Sequence, residues 1–337
     1  MDSIAYWLPL VWAALLGVAV AMYVLLDGFD LGIGILFLTG ADERERDEMM
    51  NTIAPYWDGN ETWLVLGGAG LLVAFPLAYA IIMPAHYLPI IIMLLALVFR
   101  GVAFEFRFVS KPRHRKWDWS FAFGSTVAAF CQGLVLGGYV QGISVKDGQF
   151  AGGSFEWLAT FPFLCGFGLI AGYVLLGSSW LMMKTDGDVA RRAQHHAEVA
   201  LIVTLCFIAA VSLWTPLAFE RIADRWFHGG RVAYLWPVPF LTAAVALIAW
   251  IGIRKMSGVQ AFLSAMALFL LCFLGLGIST FPYLVPPSIT IWQAAAVPQS
   301  QIFSLIGALL FLPLILAYTA FVYWTFRGKV AGSEGYH

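Results

Sequence analysis

Nine stretches of this chain are each long and apolar enough to fill the hydrocarbon of a bilayer, which limits the fold more than any other feature. A membrane span needs about 20 apolar residues, and only helices or closed barrels leave no backbone group unpaired in lipid. Runs of this length exceed any barrel strand. The chain is therefore expected to be an all-α polytopic membrane protein, with spans near 5–39, 61–83, 86–108, 117–142, 157–183, 197–219, 233–253, 259–280 and 301–326. Composition agrees, with 61% hydrophobic and 12% charged residues and a mean hydropathy of +0.82.

The net charge of -1 lacks the basic excess that a phosphate backbone demands, so nucleic acid is excluded as a partner. Cys131, Cys165, Cys206 and Cys272 stand singly in apolar runs and read as small reduced core residues. The first apolar run has no basic region ahead of it and exceeds a signal core, so it is expected to remain in the mature protein. No phosphate loop, HExxH zinc motif or nucleophile triad is present.

Lys and Arg in short loops mark the cytoplasmic side. Fourteen of the 19 basic residues follow spans one, three, five, seven and nine, whereas Lys146, Arg221, Arg225 and Arg231 lie on the other side and Arg100 lies within a span. This predicts an outside N-terminus and a cytoplasmic C-terminus.

A faint repeat is visible. Tyr23-Val-Leu-Leu-Asp-Gly returns as Tyr173-Val-Leu-Leu-Gly-Ser, and Phe75-Pro-Leu-Ala-Tyr returns as Thr215-Pro-Leu-Ala-Phe. The expected organisation is a four-helix bundle at 1–142, a parallel second bundle at 157–280, and a peripheral ninth helix with a tail at 301–337. The second copy carries Gly177 in place of Asp27, so chemistry at Asp27 belongs to the first half.

Ionisable groups at membrane depth cost about 2.5 to 3.5 kcal/mol each on insertion scales, so their presence needs a reason. Asp27 and Asp30 share one face of span one. Asp58 and Glu61 open span two, and Arg100 and Glu105 lie in span three. At 1.5 Å per residue, Asp27 is about 33 Å from the outer start of its helix and Arg100 about 21 Å from its own, so both approach the cytoplasmic face. Two readings stay open: a proton path through Asp58, Asp27 and Asp30, or a charge cluster of Arg100, Glu105 and Glu61 that pins three helices. Five acids against one embedded Arg exceed simple pairing. For Glu61 the preferred reading is a cap on the positive end of span two.

Of six histidines only His86 begins a span, and it reads as a polar residue at the outer interface rather than a haem ligand. No metal site is expected.

Four motifs carry a family resemblance: Leu26-Asp-Gly-Phe-Asp-Leu-Gly-Ile-Gly34, Asn51-Thr-Ile-Ala-Pro-Tyr-Trp-Asp-Gly-Asn60, Arg100-Gly-Val-Ala-Phe-Glu-Phe-Arg107 and Phe281-Pro-Tyr-Leu-Val-Pro-Pro-Ser288. In this order, over essentially the whole chain, they resemble subunit II of the cytochrome bd quinol oxidases, including the cyanide-insensitive type. The resemblance implies a complex in the bacterial cytoplasmic (inner) membrane that oxidises quinol, reduces dioxygen to water and generates a proton-motive force. It places haem b and haem d, or a third haem b, in a partner subunit I, and implies a heterodimer with that subunit and a small single-span accessory subunit. It allows a structural quinone here, assigns the proton path to residues including Asp58, and leaves the isolated chain without catalysis. The chain departs from the commonest pattern in its compact outer loop at 220–234 and in Ile291-Trp-Gln293, where an acid often follows the Trp. An ion-coupled secondary transporter is the alternative, suggested by the repeat and by Pro76 and Pro216 in corresponding spans.

Overall fold

The computed structural model describes residues 3–110, 114–227 and 235–330. Residues 111–113, with Lys111 and Arg113, and 228–234, with His228, Arg231 and most of the expected outer loop, lie outside these; so does the tail beyond 330 with His337. The architecture is all-helical apart from two small hairpins. Its helices are α1 (Ser3–Leu36), α2 (Glu43–Asn51), α3 (Trp57–Ala74), α4 (Pro76–Ala85), α5 (Tyr87–Val109), α6 (Arg115–Gln141), α7 (Thr160–Lys184), α8 (Gly187–Ala218), α9 (Glu220–Phe227), α10 (Pro237–Arg254), α11 (Gly258–Thr280), α12 (Ile291–Ala294) and α13 (Pro298–Thr325). The hairpins pair β1 (Val145–Lys146) with β2 (Gln149–Phe150) and β3 (Tyr283–Val285) with β4 (Ile289–Thr290). Asp147 and Gly148 both take positive φ in the first turn, as a two-residue hairpin of the primed type requires.

Among the described residues eight helices, α1, α5–α8, α10, α11 and α13, are long and apolar enough to cross a membrane. The expected second span differs. It is two helices, because Pro76 has no N–H to continue α3 and forces Phe75 out of helical geometry, at φ -138° and ψ 63°. The opening of α3 also carries Asp58, Asn60 and Glu61, which shortens its apolar stretch. A freed carbonyl in lipid must find another donor. Ala74 O accepts from Ala296 N and from the Gln301 side-chain amide, each at 2.9 Å, so the start of α13 closes the break. Pro216 does nothing comparable: it sits in the last turn of α8, and α9 follows where a loop was expected.

One apolar core runs through both halves of the chain, drawing on α1, α3, α5, α6, α7, α8, α10 and α11. Its tightest seam joins α1 to α7. A Cβ at Gly32 would stand 1.9 Å from the Tyr173 carbonyl oxygen, and one at Gly177 would stand 2.5 Å from the Gly32 backbone, so both positions require glycine. Cys131 and Cys165 are core residues, but Cys206 and Cys272 lie on the outer surface of the chain, contrary to the expected burial. α13 is peripheral, with an exposed apolar face, and is tied down by Trp12 Nε1 to Gln301 O (3.1 Å) and Tyr56 OH to Phe326 O (2.6 Å).

Candidate functional site

The C-terminal half of α1, the first turns of α3 and the middle of α5 converge on one buried guanidinium. Arg100 is 1% exposed, and Asp27 and Asp30 are fully buried. Arg100 Nη1 lies 2.7 Å from Asp27 Oδ1 and 3.6 Å from Glu61 Oε2, while Nη2 lies 3.9 Å from Asp30 Oδ2. Trp57 covers the guanidinium, with its ring centroid 5.8 Å away. Helix spacing explains the set: Asp27 and Asp30 are i, i+3 on α1, and Asn60 and Glu61 follow one another at the head of α3.

Neutral groups complete the cluster. Asn60 donates to Asp30 Oδ2 (2.8 Å) and Leu26 O (3.3 Å), and its own carbonyl accepts from Tyr323 OH on α13 (2.9 Å). Although the charges are close, the geometry leaves both Asp27 oxygens, Asp30 Oδ1 and all three Arg100 nitrogens without a well-directed hydrogen bond among the described residues. Buried charges normally fill those valences, so the contacts within the cluster leave these groups incompletely satisfied.

The expected site residues divide. Asp27, Asp30, Arg100 and Glu61 come together. Glu61 sits past the first turn of α3, whose N-cap position is Tyr56, so it faces Arg100 rather than capping the helix. Asp58, in that first turn, points to the surface of the chain. Glu105 does not join the cluster. Five residues beyond Arg100 it is turned about 140° around the helix and lies on the outward stripe of Val98, Val102 and Phe106.

Sequence reasoning missed a second buried arginine. Arg107, counted only among the basic residues that mark the cytoplasmic side, is fully buried near the end of α5; its Nε meets Asp118 Oδ1 at 2.6 Å and its Nη1 pairs with Asp47 on α2. Arg46 also reaches Asp118, at 3.4 Å. Asp118 lies in the first turn of α6 three positions after Arg115, so residue spacing did not single out Arg107 as its partner.

His86 is buried between α4 and α5, with Nδ1 3.2 Å from Ile82 O. Its Nε2 lies against Gly138, where even a Cβ would come within 2.4 Å.

Fold and site together define a polytopic membrane protein with a buried acid–arginine centre. The profile of the family described as cytochrome bd terminal oxidase subunit II matches residues 8–326, and the chain belongs to that family. It is 30% identical to cytochrome bd-I ubiquinol oxidase subunit 2 of Escherichia coli K12, over 97% of this chain and 96% of that protein. It is also 30% identical to cytochrome bd ubiquinol oxidase subunit 2 of Bacillus subtilis, over 96% and 97%. A chain of the solved bd oxidase from Geobacillus thermodenitrificans shares the fold with a TM-score of 0.71 and 17% identity, covering 94% of this chain and 99% of that one. The protein is thus a multi-pass component of a respiratory terminal oxidase in the bacterial inner membrane, and its family implies a haem-bearing subunit I as partner.

Proposed function

We propose that this subunit scaffolds subunit I of a quinol:dioxygen oxidoreductase and carries protons from the cytoplasm toward it, so that reduction of oxygen to water contributes to proton-motive force. The observation that carries the reading is the graded burial of four acids: Asp58 at the surface, Glu61 half-buried beside Arg100, and Asp27 and Asp30 fully enclosed with unused carboxylate oxygens. A proton taken at Asp58 reaches Glu61 one helical turn on, then the Asp27–Arg100–Asp30 group. Arg100 stabilises the ionised acids between transfers, and Trp57 limits water at the guanidinium. The bias of basic residues toward this end of the helices supports a cytoplasmic position for it.

Subunit I carries haem b and haem d, or a third haem b, and supplies the redox chemistry; the isolated chain catalyses nothing. A carboxylate that faces outward from a membrane helix, here Glu105, is costly against lipid and accords with a protein partner on that stripe of α5. A small accessory subunit and a structural quinone belong to the same proposal, with no residues assigned to them.

Asp58→Asn and Asp27→Asn test the path in the purified complex. Each variant is expected to keep full haem content while oxygen consumption with quinol falls and acidification of vesicles weakens, and the double variant is expected to lose more than either alone. Wild-type oxygen consumption and acidification in the double variant would reduce the cluster to helix packing.

A further inference from the structure

The two carboxylate oxygens of Asp30 have unequal surroundings. Oδ2 accepts from Asn60 Nδ2 at 2.8 Å and faces Arg100 Nη2 at 3.9 Å, whereas Oδ1 is buried with no hydrogen-bond partner among the described residues. The asymmetry originates in Asn60, itself 1% exposed. Its amide nitrogen also donates to the Leu26 carbonyl at 3.3 Å, and a carbonyl can only accept, so the nitrogen must face α1 and the amide oxygen must face away. That oxygen accepts from Tyr323 OH on α13 at 2.9 Å. The tyrosine is held in turn, with its ring centroid 4.5 Å from that of Tyr56 and 6.3 Å from that of Trp180. A flipped amide would set its oxygen against the Leu26 carbonyl, so the donor direction from Tyr323 through Asn60 to Asp30 is fixed.

The consequence is a choice between two oxygens. A carboxyl protonated on Oδ2 would point its O–H at the Asn60 N–H, donor against donor, whereas one protonated on Oδ1 leaves Oδ2 as a carbonyl oxygen that still accepts from Asn60. We propose that Asn60, oriented by Leu26 and Tyr323, is a positioning residue that confines proton uptake and release by Asp30 to Oδ1. The O–H bond forms at Oδ1 as the carboxylate takes a proton and loses its charge, and the same bond breaks when the proton moves on. Oδ2 stays bonded to Asn60 throughout. The last helix, peripheral in the fold, thereby fixes which side of an acid on the first helix exchanges protons. The inference deepens the proton-path reading, on which it rests for the source of the proton.

The test is infrared difference spectroscopy of the purified complex on acidification, with the protonated Asp30 band identified by isotope-labelled aspartate and by its loss in Asp30→Asn. A carbonyl that accepts from Asn60 absorbs at lower wavenumber than a free one, so Asn60→Leu is expected to shift the band upward. Tyr323→Phe keeps the ring but frees the amide oxygen, and is expected to broaden the band toward higher wavenumber. If Asn60→Leu fails to assemble, Tyr323→Phe decides alone. An unmoved band in Asn60→Leu, or no protonated Asp30 band at all, would overturn the assignment of the oxygens, and a band that moves in Asn60→Leu but not in Tyr323→Phe would overturn the role of Tyr323. Bands that move as expected, beside wild-type oxygen consumption and acidification in Asp30→Asn, would uphold the assignment and overturn the proton path instead.

Discussion

The two halves of the molecule share one core yet differ in what they bury. The first encloses Asp27, Asp30, Arg100, Arg107 and Asp118; among the described residues of the second, from α7 to α11, the buried polar groups are Lys184 and a set of Ser and Thr side chains, with no carboxylate. Where the first has Asp27, the second has Gly177, and that glycine lets α7 meet the α1 backbone. The α1–α7 seam is thus a close backbone contact, and the buried carboxylates lie in the first half alone among the described residues. Lys184 fits the pattern, for it serves the chain terminus: it bonds to the Phe326 and Gly328 carbonyls and to Tyr56 OH.

The contrast breaks most completely if the acid is restored to the second half. Gly177→Asp puts a side chain where even a Cβ would stand 2.5 Å from the α1 backbone, so the haem spectrum of solubilised membranes is expected to show almost no assembled complex. Removing the charge partner of the first half comes next. Arg100→Leu strands two buried carboxylates, an event that costs about 3 to 5 kcal/mol, so assembled complex is expected to fall sharply by the same readout, whereas normal assembly with normal turnover would make Arg100 dispensable. Glu61→Gln sharpens the comparison with a smaller effect: assembly is retained, and oxygen consumption drops several-fold if this half-buried acid bridges surface and interior. The smallest effect belongs to the second half, where Arg254 and Glu198 form an exposed pair at 3.5 Å. Arg254→Gln is expected to change stability by less than about 1 kcal/mol, measured by thermal melting of the complex.

These differences were only partly legible in the sequence. Long apolar runs and the cost of charges in lipid led to the helical membrane fold and to Asp27, Asp30 and Arg100, because depth along a helix follows from residue count. Contacts between distant segments were not recoverable that way. Gln132 reaches Tyr23 across 109 positions and Tyr323 reaches Asn60 across 263, and neither leaves a periodic trace. Glu105 was misplaced by treating proximity along the chain as proximity in space, when five residues turn the side chain to another face. The break at Pro76 showed as a proline, but its repair by Gln301 did not.

That repair has a consequence in time. Ribosomal synthesis delivers α3 and α4 early, yet the carbonyl at their junction waits for donors at Ala296 and Gln301, far downstream in the chain. Until the last helix enters the bilayer, the second membrane crossing has an unanswered polar group in hydrocarbon, at a cost of several kcal/mol. The amino-terminal half therefore cannot settle into its final geometry as it emerges, and a nascent chain arrested before Ala296 would present quality-control proteases with an unfinished crossing far from the point of truncation.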